Sequence, residues 1–133
     1  MLVVADANEL FGALISEGKT LELFFSSALE ISSPEFILNE FDKYKKVICE
    51  KSGLTEQELL SSLLLISSRI KFFKTEDFAD FFPEAKSISP DPNDVEYFAL
   101  ALKLNCPLWS EDKLLKRQGS VRVLSTSDVL KLV

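Results

Sequence analysis

Short apolar runs alternate along this chain with longer segments of helical spacing, and that alternation restricts the fold more than any other feature. Residues 2–5, 29–32, 70–73, 107–109 and 121–124 read as buried strands. Between them, residues 8–16 place Leu10, Phe11, Leu14 and Ile15 on one helical face, with Gly18 as the stop. A short helix is predicted over 20–28. A long one is opened by Pro34, reaches about Lys51 and ends at Gly53. Thr55 and Glu58 form a capping box for the next helix, which runs through Leu59, Leu60, Leu63, Leu64 and Ile66 to about Ser68. Residues 75–86 are acidic, phenylalanine-rich and interrupted at Pro83, and 87–93 form a loop. Helices follow at 94–104, capped by Asn105, at 113–118 and at 126–133. Strands alternating with helices predict an α/β fold: a central parallel sheet of four to five short strands, flanked by helices in three layers. In such sheets ligands bind beyond the carboxyl ends of the strands, where strand order reverses.

With 133 residues, 47% of them hydrophobic, the chain has the size of one domain over 1–133 with one sizeable core. Its two cysteines, Cys49 and Cys106, are too few and too far apart for a disulfide scaffold and point to a reducing cytoplasm. No apolar run approaches the ~20 residues of a membrane span, so no membrane association is expected. Histidine is absent, which removes imidazole acid–base chemistry, serine–histidine triads and most zinc sites. Catalysis here has to rest on carboxylates. The net charge of −6 speaks against binding a polyanion through overall charge, so any such contact must be local.

Four acids stand where a sheet-edge site would need them. Asp6 follows the first strand, where it also serves as a helix N-cap. Asp112 follows the strand ending at Trp109; Ser110 as N-cap, with Glu111 and Asp112 favouring the helix dipole, is an equally good structural reading. Asp94 closes the run Asp91, Pro92, Asn93, Asp94, which spells a helix start. The helix behind it is apolar almost all round, which draws its acidic start inward. Glu40 falls on the stripe Ile37, Phe41, Tyr44, Val47 and Ile48 and is expected to point into the protein. A carboxylate so placed needs a cation, a strong hydrogen-bond donor or a proton; a structural ion pair is the competing explanation. If all four converge, two charges ~4 Å apart repel by about 4 kcal/mol at an effective dielectric of 20, which a metal ion would relieve. Oxygen-only ligands suit Mg²⁺ or Mn²⁺.

The chain resembles the PIN-domain ribonucleases, and among them the VapC-like toxins of prokaryotic toxin–antitoxin pairs. The resemblance rests on Val3-Val4-Ala5-Asp6-Ala7-Asn8, on Pro34 through Glu40, on Asp94 with Phe98 to Leu102, and on Trp109-Ser110-Glu111-Asp112-Lys113, in that order. It implies a PIN-like fold in which Asp6, Glu40, Asp94 and Asp112 bind one or two Mg²⁺ or Mn²⁺ ions and serve as the catalytic set. It also implies metal-dependent hydrolysis of RNA to 5′-phosphate and 3′-hydroxyl products, with Asn8 and Ser110 hydrogen-bonding inside the site. Asp91 and Glu96 are further acids nearby, as supporting groups or as caps.

Lys43, Lys46, Lys113, Lys116 and Arg117 are candidate RNA contacts close in sequence to the acids, although such runs are more often solvated helix faces. The leucines around helix 59–66 and the paired phenylalanines exceed what one core needs, and family habit turns them into a homodimer interface and a place for an antitoxin protein. The rival expectation is a PIN-like module that binds RNA or protein without cutting. A haloacid dehalogenase-type phosphatase would want a second carboxylate where Asn8 stands, and a receiver domain would want paired acids before the first helix.

Overall fold

The computed structural model describes residues 1–16 and 18–133. Five parallel strands form one sheet: β1 (Leu2–Ala5), β2 (Glu30–Pro34), β3 (Ile70–Phe73), β4 (Leu108–Trp109) and β5 (Val123–Leu124). Their spatial order is β3-β2-β1-β4-β5. The chain thus steps outward from β1 on one side, then returns to lay β4 against β1 on the other. Register follows burial, with Val3 beside Ile31, Val4 beside Leu108 and Trp109 beside Leu124. The reversal between β2 and β4 opens a crevice at the carboxyl ends of β1 and β4, the position expected for a ligand in this class of sheet.

Helices α1 (Ala7–Ile15), α2 (Lys19–Phe24), α3 (Phe36–Ser52) and α4 (Glu56–Ser67) occupy the first half of the chain, with α1 packing on the other three or their neighbours. The second half supplies α5 (Thr75–Phe78), α6 (Phe82–Ile88), α7 (Val95–Leu104) and α8 (Thr126–Leu132). Helix α7 lies on β1, β2 and β4 and buries every residue from Tyr97 to Ala101, as its all-round apolar character requires. Trp109, Tyr97, Phe24, Phe78 and Phe98 are the largest fully buried side chains. The Trp109 and Phe24 rings pack tilted at 39°, with centroids 5.1 Å apart.

Several local expectations shift. Pro34 ends β2 instead of opening α3, because its ring drives Ser33 toward extended backbone and itself needs no amide partner at a strand terminus. Gly18 caps the start of α2, and α1 has already stopped at Ser16. Pro83 sits in the first turn of α6, where a missing N–H costs nothing, so it starts a helix that runs on to Ile88. The segment 113–118 is a 3-10 turn (Lys113–Arg117). Gly53 and Asn105 adopt the left-handed conformation at the ends of α3 and α7, and the Thr55–Glu58 capping box is formed. Helix α4 buries Leu59, Leu63 and Ile66 but leaves Leu60, Leu64 and Leu65 outward, Leu64 being 74% exposed. Among the described residues, no helix is long and apolar enough to cross a membrane.

Candidate metal centre

Asp6 leaves β1 at the crevice, 4% exposed. Its Oδ1 accepts the Glu9 amide at 3.1 Å, the N-cap that starts α1. Next door, Ser110 is buried at the end of β4; its Oγ accepts the Asp112 amide at 3.1 Å and lies beside Asp6. Asp112 is the N-cap of the 3-10 turn, its Oδ1 accepting the Leu114 amide at 3.0 Å, so the cap is Asp112 and not Ser110. Capping and convergence are therefore compatible, since each Asp spends one oxygen on an amide and keeps the other.

Glu40 approaches from α3. It is half-buried, and the Tyr97 hydroxyl donates to its Oε1 at 2.5 Å. The stripe used to place it is narrower than its spacing suggests: Ile37, Phe41 and Ile48 are buried, whereas Tyr44 and Val47 are 42% and 45% exposed. Glu40 sits on the flank of the buried face, at the mouth of a groove of about 530 Å³ shared with Asn8, Phe11, Tyr44 and Val47. Asp94 stands at the start of α7 without capping it; the cap of the preceding turn is Asp91, whose Oδ1 accepts the Asn93 amide at 2.9 Å.

The electrostatics bind these acids into one set. Burial, and then the charges of Asp6, Asp91, Asp112 and Glu40, push the Asp94 carboxyl up to about 7. Burial pushes Asp6 up to about 6 against the Ser110 hydroxyl and the Glu9 amide, with Glu40 and Asp112 adding repulsion. Burial also raises Glu40, opposed by the Tyr97 hydroxyl and by Lys43. Among the described residues, no three acidic or thiol side chains are drawn close enough to make a ready metal cage. Coulomb repulsion reaches further than a metal–oxygen bond, so the acids share a field while their oxygens stay apart. The donor set fits a hard divalent cation, being all carboxylate, mutually repelling and partly desolvated.

The model of the PIN-domain family matches residues 4–130. The chain belongs to the PIN-domain family. One solved relative in fold is a chain in the crystal structure of VapBC2 from Rickettsia felis bound to a DNA fragment from their promoter. It aligns with a TM-score of 0.70 at 18% identity, covering 94% of this chain and 98% of that one. No curated protein matches in sequence.

Around the four acids of this PIN domain, the supporting residues divide. Asn8 is exposed on the groove rim, and Ser110 is buried at the centre. Glu96 is half-buried; Thr75 Oγ1 donates to its Oε1 at 3.5 Å while Oε2 has no partner, and burial raises its carboxyl. Lys43 faces the acids, lining a cleft with Glu40 and Asn93. Lys46 does not, because it lines a separate cleft with Lys45, Cys49 and Glu56 between α3 and α4. Lys113 and Arg117 are exposed beyond Asp112, and Lys116 is drawn to Asp128 at 3.4 Å. Three further residues escaped the sequence reading. Tyr97 looked like core. Glu9, 3% exposed, carries no mark in the sequence beyond being an acid in a first helical turn, and Thr126 stands only as the start of the last helix. The signal for Glu9 was available, since it falls between Asp6 and Leu10 on the inward side of α1.

Proposed function

We propose that this PIN domain is a metal-dependent endoribonuclease and the toxin of a toxin–antitoxin pair. The observation that carries the reading is the mutual field of the acids: Asp94, at the start of α7, feels Asp6 after β1, Glu40 on α3 and Asp112 after β4. Four elements distant in sequence supply like charges to one crevice, and a protein tolerates that repulsion where a cation is to be held.

Asp6, Glu40, Asp94 and Asp112 would hold one or two Mg²⁺ or Mn²⁺ ions. The cation would supply water activation and charge neutralisation at the phosphodiester. The chain's own groups do the rest. Tyr97 fixes the direction of the Glu40 carboxylate, and Ser110 keeps Asp6 and the Asp112 amide in place. Lys43, Lys113 and Arg117 offer positive charge beside the crevice, which answers the overall charge of −6 locally. The antitoxin partner is proposed from the likeness in fold to a chain of a VapBC2 structure. A homodimer is proposed from the outward leucines of α4, and a single cytoplasmic domain over 1–133 from composition.

The test is incubation of labelled single-stranded and structured RNA with the purified protein, with Mn²⁺ or Mg²⁺ and with chelator. Cleavage that needs metal and is lost in Asp6→Asn supports the reading. Cleavage indifferent to chelator would sink the metal mechanism, and no cleavage alongside tight RNA binding points instead to a non-cutting PIN module.

A further inference from the structure

Glu9 is a carboxylate buried to 3% exposure that none of the roles above requires, and its Oε1 has no hydrogen-bond partner. Its Oε2 accepts from the Thr126 hydroxyl at 3.2 Å, and that hydroxyl accepts the Trp109 indole N–H at 3.1 Å. An indole nitrogen can only donate, so the Thr126 hydroxyl accepts from Trp109 and keeps its own proton for Glu9. The backbone amide of the same Thr126 donates to Glu111 Oε1 at 2.5 Å. Glu111 lies between Ser110 and Asp112, and the Glu9 amide already donates to Asp6.

These links close a ring. From Asp6 it passes through Glu9 to Thr126 at the start of α8, then to Glu111, and along the backbone to Asp112 and Ser110, which returns to Asp6. Two acids from different strands are thereby tied together through a helix that contributes no acid to the crevice. We propose that Thr126, with Glu9, is a positioning residue: its hydroxyl and amide form a clamp that sets where Asp112 stands relative to Asp6. The proposal rests on the metal reading of the four acids. Partners one layer behind metal ligands usually govern affinity by about 10- to 100-fold when removed.

The experiment is calorimetric titration of Mn²⁺ into the full chain, with melting temperature recorded for each variant. Thr126→Val removes the hydroxyl and keeps the shape; Mn²⁺ affinity should fall about tenfold, and Thr126→Ser should restore it. Glu111→Ala cuts the second arm of the clamp from the exposed side, away from the core, and should weaken Mn²⁺ several-fold, whereas Glu111→Gln keeps an acceptor for the Thr126 amide and should retain most of the affinity. If Thr126→Val and Glu111→Ala melt lower but bind Mn²⁺ as the unmodified chain does, the clamp is only structural and the proposal falls. Equal losses in Glu111→Gln and Glu111→Ala would also overturn it, by making charge the cause. Absence of Mn²⁺ binding by the unmodified chain would instead sink the metal reading itself.

Discussion

Asp6 and Glu40 reach the same crevice from a strand end and from a helix, and the protein keeps them there by different means. Asp6 is almost wholly buried, on a strand end, and it is held by backbone: an amide on one oxygen and a strand neighbour beside it. Glu40 is half-buried, on the second turn of a helix, and it is held by one phenol. The first arrangement is rigid and costly in desolvation. The second is cheaper and adjustable, because a long side chain keeps its rotamers until something fixes them. A site built this way has one fixed wall and one that can accommodate.

The largest expected effect tests the fixed wall. Asp6→Asn keeps the cap acceptor but removes the charge, so RNA cleavage in Mn²⁺ should fall more than about 100-fold, beyond the range usual for outer partners of metal ligands. Circular dichroism should report an intact fold. A variant with near-normal cleavage would show that Asp6 is only a cap.

Next comes the energetic cost of that wall. The folded carboxyls of Asp6 and Asp94 are raised, to about 6 and about 7, above an ordinary aspartate. Each stabilises the fold most below its unfolded value, and that contribution is lost as pH rises through the folded one. Urea unfolding in chelator should therefore show stability declining by at least about 2 kcal/mol between pH 5 and pH 8, with Asp94 contributing less than its shift implies because it is partly open to water, and with the buried Glu9 carboxyl, raised to about 8, adding to the decline. Asp6→Asn should flatten the curve. Mn²⁺ should raise the melting temperature more at pH 8 than at pH 5, since only ionised acids bind it; an equal rise at both would break the link between acid ionisation and metal.

The adjustable wall predicts smaller changes. Tyr97→Phe removes only the hydroxyl donor to Glu40, and metal affinity should drop by roughly 3- to 10-fold, about the worth of one ordinary hydrogen bond. A loss as large as that of Asp6→Asn would erase the distinction between the two walls. Smallest of all, Lys113→Ala should weaken single-stranded RNA binding a few-fold and reduce its salt slope by about 0.7, whereas Lys46→Ala should leave both unchanged. If Lys46 matters equally, RNA runs across the α3–α4 cleft as well as past Lys113.

The sequence carried the larger part of the fold because each strand and most caps announce themselves within a few residues: the apolar run before Asp6, the Thr55–Glu58 box, Gly53 and Asn105. Where it misled, a residue had two local uses and packing chose between them. Pro34 can open a helix or close a strand, and the pairing of Pro34 with Phe73 decides for the strand. Tyr44 and Val47 match the Ile37 periodicity, but α3 meets its neighbours over a narrower arc than the pattern assumes. The positions of all four acids were legible because each sits at an element's end or on its inner flank. The links behind them were not: Thr126 and Glu9 lie far apart in sequence, and nothing local distinguishes a hydroxyl that caps a helix from one that reaches across the fold.

The central place of β1 has a consequence for when the crevice comes into being. Val4 pairs with Leu108 across most of the length of the chain, so during synthesis Asp6 and Glu40 emerge long before the strand that brings Ser110 and Asp112 beside them. Such distant pairing closes late in folding. A nascent or partly unfolded chain therefore carries its acids scattered, and a full set is the product of a completed sheet. On the proposed nuclease reading, folding itself is the first safety catch.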